Sequence, residues 1–201
     1  TMAWRAPASN TIAFAEQCFM DEVAESLGKD PVSMCLDLLD NAKGKQGMSY
    51  EPERMAGAVK LVAEKSNWGN APEGTFQGFA VYYSHNTYAA EVAEVEMENG
   101  VPVIKKVYCA VDCGIVVNPL GAKNQIAGGI IDGIGHSMYG DFPIEDGRPV
   151  YQNFDQYRLI RMSETPQVEC LFVDSDIEPT GLGEPSLPPA GPAIANAIYA
   201  A

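Results

Sequence analysis

Thr87-Tyr-Ala-Ala-Glu-Val-Ala-Glu-Val-Glu-Met97 runs through Glu98 into Asn99-Gly100, and Val101-Pro-Val-Ile-Lys-Lys-Val-Tyr-Cys-Ala-Val111 follows. Both arms are rich in valine and polar residues fall between the apolar ones, as in a strand with a buried face. Asn-Gly between two such arms is the strongest short hairpin signal, because a tight two-residue turn needs positive φ at both positions. The stretch therefore reads as two paired strands. Thr75–Tyr83 reads as a further strand ahead of them, and Gln167–Val173 as a short apolar strand much later.

Ahead of the strands the pattern is helical. Ile12, Ala15, Phe19, Val23 and Leu27 recur at spacings of three and four, so residues 10–27 read as an amphipathic helix. Gly28 follows as its C′ residue. Asp30-Pro31 supplies an N-cap and a first-turn proline for a second helix, with Met34, Cys35, Leu38 and Leu39 as its stripe, to about residue 43. Residues 44–51 are polar and glycine-containing, hence a loop. A third helix runs from about Pro52 to Ser66, with Met55, Val59 and Val62 inward, and Asn67-Trp68-Gly69-Asn70 ends it.

Behind the hairpin, Cys113-Gly114, Asn118-Pro119 and Asp146-Gly147 mark turns. Gly121–Tyr139 is rich in small residues and isoleucine and predicts a closely packed helix. The last helix starts around Pro189 and carries Ile194, Ala197 and Ile198. The sum is an α+β fold: one piece over residues 1–201, mainly helical over 1–70, a mixed sheet with packed helices over 75–201.

Composition sets the outer limits. The net charge is −14, from 27 acidic and 13 basic residues, which disfavours a nucleic-acid partner or an anionic membrane surface. No apolar run is long enough to cross a bilayer. Cys18, Cys35, Cys109, Cys113 and Cys170 are odd in number and irregular in spacing, which argues against a disulfide framework and for small buried thiols. The chain opens at Thr1 and stops at Ala201 inside a helical pattern, so both ends are expected to be cut. The compartment stays open between bacterial cytoplasm and periplasm.

Three stretches carry chemistry. In Gly181-Leu-Gly-Glu-Pro-Ser-Leu-Pro-Pro189 two glycines allow close backbone approach, and prolines stiffen the far side of Glu184 just before a helix. That presents one carboxylate as a candidate acid or base; the alternative is a surface turn whose Glu184 favours the helix dipole. Val111-Asp-Cys-Gly114, then Val117-Asn-Pro119 and Gln125-Ile-Ala-Gly-Gly129, place Gln125 early in a glycine-rich helix. Its amide can bind a polar cofactor, or the small residues can simply serve helix packing. Trp4-Arg-Ala-Pro7 leads into a helix with Phe14-Ala-Glu16; Arg5 can hold an anion by its planar fork or stand as a solvated charge. His85 and His136 sit in no metal-ligand spacing and read as structural, although a hydrolase pairing Glu184 with His136 stays open.

In this order the three stretches resemble the molybdenum hydroxylases of the xanthine oxidase family. They look most like the large subunit of isoquinoline 1-oxidoreductases and their aldehyde-oxidising relatives. The resemblance covers nearly the whole chain, and Gly-x-Gly-Glu-Pro is its most specific motif. It implies a molybdopterin-binding domain that helps hydroxylate an electron-poor carbon, in an N-heterocycle or an aldehyde, with oxygen drawn from water. By that resemblance Glu184 is the general base and Arg5, Ala6, Gln125 and Gly183 lie against the cofactor. The cofactor is molybdopterin or its cytosine dinucleotide, with no protein ligand to the metal in this chain. The implied partners are the remaining N-terminal part of the same subunit, an iron–sulfur small subunit and a small-molecule substrate. Two positions depart from the pattern: Ala127 stands where the family often has Glu, and Asn124 where many members have Gly. The cofactor loops that precede Arg5 in the family are not in this sequence, so the piece alone is expected to be inactive. The competing expectation is a non-catalytic assembly module that keeps the fold.

Overall fold

A computed structural model describes residues 4–201. Three helices come first: α1 (Ser9–Ser26), α2 (Pro31–Ala42) and α3 (Pro52–Lys65). The strands β1 (Thr75–Ser84), β2 (Thr87–Glu98) and β3 (Val101–Asp112) follow as an antiparallel meander. Then come α4 (Pro119–Ile134), a small hairpin of β4 (Ile144–Glu145) and β5 (Arg148–Pro149), β6 (Gln167–Phe172) and α5 (Ala190–Tyr199). β6 lies parallel to β3, so the main sheet is mixed, in the order β1-β2-β3-β6.

The local signals act where the sequence puts them. Asn99 and Gly100 both take positive φ, 53° and 80°, and turn β2 into β3. The Asp30 carboxylate accepts from the Ser33 N–H at 2.7 Å and caps α2. Gly28, at φ 63°, lets the chain leave α1 while the Lys29 N–H closes back on the Ala24 carbonyl.

The sheet is covered on both faces. Val59 and Val62 of α3 pack with Phe79, Val81, Tyr88, Ala90, Val92 and Ala110 on one side. Ile126 and Ile130 of α4 and Ala193 and Ile194 of α5 pack with Ala80, Ala89, Ala93 and Cys109 on the other. This double coverage explains why β2 is buried at seven consecutive positions instead of alternating. The free edge of β1 is closed by side-chain amides. Gln17 of α1 accepts from the Val81 N–H at 3.0 Å, and Asn196 of α5 donates to the Phe79 carbonyl at 2.9 Å.

Three expectations need correction. The stripe of Ile12, Phe19 and Leu27 on α1 faces outward, and Phe19 is 63% exposed. α1 instead buries Ala13 and Ala24, because small side chains let it lie close against α5, where Phe14 reaches Gly191. Asn118-Pro119 is a helix start and not a free turn. The Asn118 carboxamide oxygen accepts from the Gly121 N–H at 3.1 Å, and Pro119 occupies the first helical position. The helix predicted to Tyr139 ends at Ile134 and widens into a π-helical turn, Gly135–Tyr139.

Two buried polar features stand out. Arg54 holds the buried Asp112 through Nε at 3.0 Å and a terminal nitrogen at 2.8 Å, fixing α3 to the end of β3. Glu91, fully buried at the middle of β2, has no hydrogen-bond partner for either carboxyl oxygen among the described residues. Cys109 sits opposite it in register, and Cys170 opposite Cys109. All five cysteines are free thiols, and burial raises the pKa of Cys35 to about 12.

Candidate active site

The glycine-rich face of α4 is where the distant stretches meet. Gln125, Gly128, Gly129 and Asp132 recur at helical spacing and share that face. A Cβ on Gly129 would stand 2.2 Å from the Ser186 hydroxyl, so only glycine lets the Glu184–Ala190 segment lie directly on α4. Ser186 is buried there and donates to the Ile126 carbonyl at 3.0 Å.

Arg5 ties the three stretches together. Its Nε donates to the Gly183 carbonyl at 2.9 Å, and one terminal nitrogen donates to the same oxygen. The terminal nitrogens also reach the Gln125 carbonyl at 3.1 Å and the Asp132 carboxylate at 2.8 Å. The guanidinium fork is thus engaged within the chain: it is not a solvated charge, and its donors point at protein oxygens. Ala6 is buried beside it, with φ at 56°, a left-handed conformation that an L-residue adopts at some cost.

Glu184 follows the carbonyl that Arg5 holds. Its side chain is 30% exposed, and one carboxylate oxygen lies 3.3 Å from Nε2 of His85, which is 50% exposed. His85 belongs to the β1–β2 turn. Its carbonyl accepts from the Gly181 N–H at 3.1 Å. A Cβ on Gly181 would come within 2.8 Å of the His85 Cβ, so this glycine is required. The Thr87 hydroxyl donates to the Gly181 carbonyl at 2.6 Å and completes the seam. Gly183 is different: its φ is not positive and nothing lies within 4 Å of where a Cβ would project. The described chain itself demands glycine at 181 and leaves 183 facing open space.

The Gln125 side chain is exposed, and its amide has no hydrogen-bond partner among the described residues. His136 lies elsewhere. Its Nδ1 is 2.9 Å from the Asn10 amide, its ring packs edge-on to Trp4, and burial lowers its pKa. The neighbouring Ser137 hydroxyl donates to the Gly133 carbonyl. The partner that the structure gives Glu184 is therefore His85, and the pairing of Glu184 with His136 is not what the fold builds. No group of three His, Cys, Asp or Glu among the described residues is placed to hold a metal ion.

Sequence reasoning missed Asp132 and His85. Asp132 was legible in principle, seven residues and two turns beyond Gln125 on the same face. Nothing local to His85 signals its neighbour nearly a hundred residues away.

Residues 24–166 match the molybdopterin cofactor-binding domain. The chain belongs to this family. Among its relatives, the membrane-bound aldehyde dehydrogenase [pyrroloquinoline-quinone] of Gluconacetobacter polyoxogenes is 35% identical over 195 residues, covering 91% of this chain and 25% of that protein. The isoquinoline 1-oxidoreductase subunit beta of Brevundimonas diminuta is 34% identical over 194 residues, covering 93% of this chain and 23% of that subunit. The chain therefore spans about a quarter of the length of these two relatives. Aldehyde oxidoreductase from Desulfovibrio gigas shares the fold, with a TM-score of 0.72 at 14% identity over 99% of this chain and 39% of that one. The α+β expectation and the family resemblance both hold.

Proposed function

We propose that this chain forms part of the catalytic surface of a molybdopterin-dependent oxidoreductase that hydroxylates an electron-poor carbon, in an aldehyde or an N-heterocycle, with Glu184 as the general base. The observation that carries this is the Arg5 fork, which ties the carbonyl before Glu184 to the Gln125 carbonyl and to Asp132. The donor set on this face suits a pterin. Gln125 offers a free primary amide, Gly183 leaves room for close approach, and Glu184 stands at the edge. Gln125 and the backbone around Ala6 and Gly183 would hold the cofactor, which supplies the two-electron chemistry when bound.

The chain's own residues do the rest. Arg5 immobilises the Gly183-Glu184 peptide, so the carboxylate is aimed before substrate arrives. Glu184 is partly withdrawn from water yet open enough to receive a proton. Residues 1–201 act as one piece of the cofactor-binding part of a larger subunit. Exposed Phe19, Val117 and Leu120 support its being covered by the rest of that subunit. Electrons leave through iron–sulfur clusters on a partner, since the five cysteines here are scattered.

The test is Glu184→Gln in the full-length enzyme, assayed with isoquinoline and an aliphatic aldehyde and a dye as electron acceptor. Cofactor content should be unchanged, and turnover should fall by at least about 10²–10⁴-fold. Turnover near the wild-type rate would remove the base assignment and favour the non-catalytic assembly role.

A further inference from the structure

We propose that His85 is the group through which Glu184 returns its proton to solvent, an inference that rests on Glu184 being the base. Three independent features of the turn carry it. The first is contact: Nε2 of His85 lies 3.3 Å from the Glu184 carboxylate. The second is the exposure gradient, 30% at the glutamate and 50% at the histidine, which leads outward from the site to water.

The third is backbone strain. His85 and Asn86 both take positive φ, 55° and 58°. Such a two-residue turn is normally filled by Asn-Gly, because most side chains are disfavoured there and Asn and Gly are the best tolerated. At Asn99-Gly100 the same protein uses that favourable pair. At residues 85–86 it places an imidazole at the position that asparagine fills in the other turn, at a modest backbone cost. Strain of this kind persists where surrounding contacts over-determine it. Here those contacts are the Gly181 N–H on the His85 carbonyl, the close packing of Gly181 on the His85 Cβ and the Thr87 hydroxyl on the Gly181 carbonyl. Together they set the height of the imidazole against Glu184.

The step balances without any co-reactant beyond water. With the neutral imidazole carrying its proton on Nδ1, once Glu184 has taken a proton the Oε2–H bond breaks and an Nε2–H bond forms on the imidazole lone pair. The resulting imidazolium gives a proton to bulk water, and both groups return to their starting states. No electrons change hands. Behind Glu184, Arg5 holds the Gly183 carbonyl and pairs with Asp132. The turn itself contributes Ser84, Asn86 and Thr87, which are uncharged, with the Tyr83 hydroxyl donating to the Asn86 side chain at 2.8 Å.

The test is His85→Asn in the full-length enzyme, with Glu184→Gln as the control. Asn suits positive φ, so the turn survives and thermal stability should hold or rise. Cofactor content should match wild type, while turnover falls by roughly 10²-fold with KM little changed. Added imidazole should restore turnover in a concentration-dependent way. Full turnover in His85→Asn while Glu184→Gln is inactive overturns the relay and leaves the base intact. A loss that imidazole does not rescue reduces His85 to a turn residue and also overturns it. Full turnover in Glu184→Gln overturns both assignments together.

Discussion

Replacing Glu91 by Gln should raise the protein's stability relative to wild type progressively as pH rises. Glu91 is fully buried at the centre of β2 with both carboxyl oxygens unpartnered among the described residues. Burial pushes its pKa well above the usual carboxylate range, so the folded protein keeps it protonated where the unfolded chain has lost the proton. The sign follows from linkage. Below the unfolded value, about 4.3, both states are protonated and the group is neutral in the balance. Above it the unfolded state binds fewer protons than the folded one, so stability is lost as pH rises, until the folded group itself titrates. Over that window the loss is about 1.4 kcal/mol per pH unit. Gln has nearly the same shape and no proton to lose, so the wild-type curve should fall away from the Gln curve with that slope. A buried unpartnered amide carries its own cost of about 1–3 kcal/mol, but that cost is independent of pH. The slope, and not the offset, is therefore the measurement. Urea unfolding of both proteins from pH 4 to pH 8 provides it. Parallel stability curves across the whole range would refute the claim that Glu91 is held neutral.

Two further changes probe the scaffold and the site. Asp112→Ala leaves Arg54 without its bidentate partner at a largely buried position, and should cost about 3–5 kcal/mol in urea unfolding. A loss under 1 kcal/mol would mean that Arg54 finds solvent when released. Arg5→Lys places a single ammonium where a planar fork now serves Gly183, Gln125 and Asp132. Turnover should fall about 10–10²-fold through misplacement of Glu184, with KM nearly unchanged. Wild-type kinetics in Arg5→Lys would show that the clamp does not position the base.

What the sequence determined by itself was local. Asn99-Gly100, the Asp30 cap, Gly28 and the valine-rich arms each act within a few residues, because φ/ψ preference and short hydrogen bonds are set by immediate neighbours. The three motif stretches were legible for the same reason, since each is a contiguous run of unusual residues. Which face of a helix is buried was not. α1 shows outward the stripe that periodicity selects, because its inward face is chosen by how closely α5 can approach, and small residues win that contact. The meeting of Arg5 with Gly183, 178 positions away, and of His85 with Glu184 was decided only by tertiary packing. A hydrogen bond between groups so far apart leaves no periodic trace in either segment. It exists because Gly129 and Gly181 remove the side chains that would keep those segments apart.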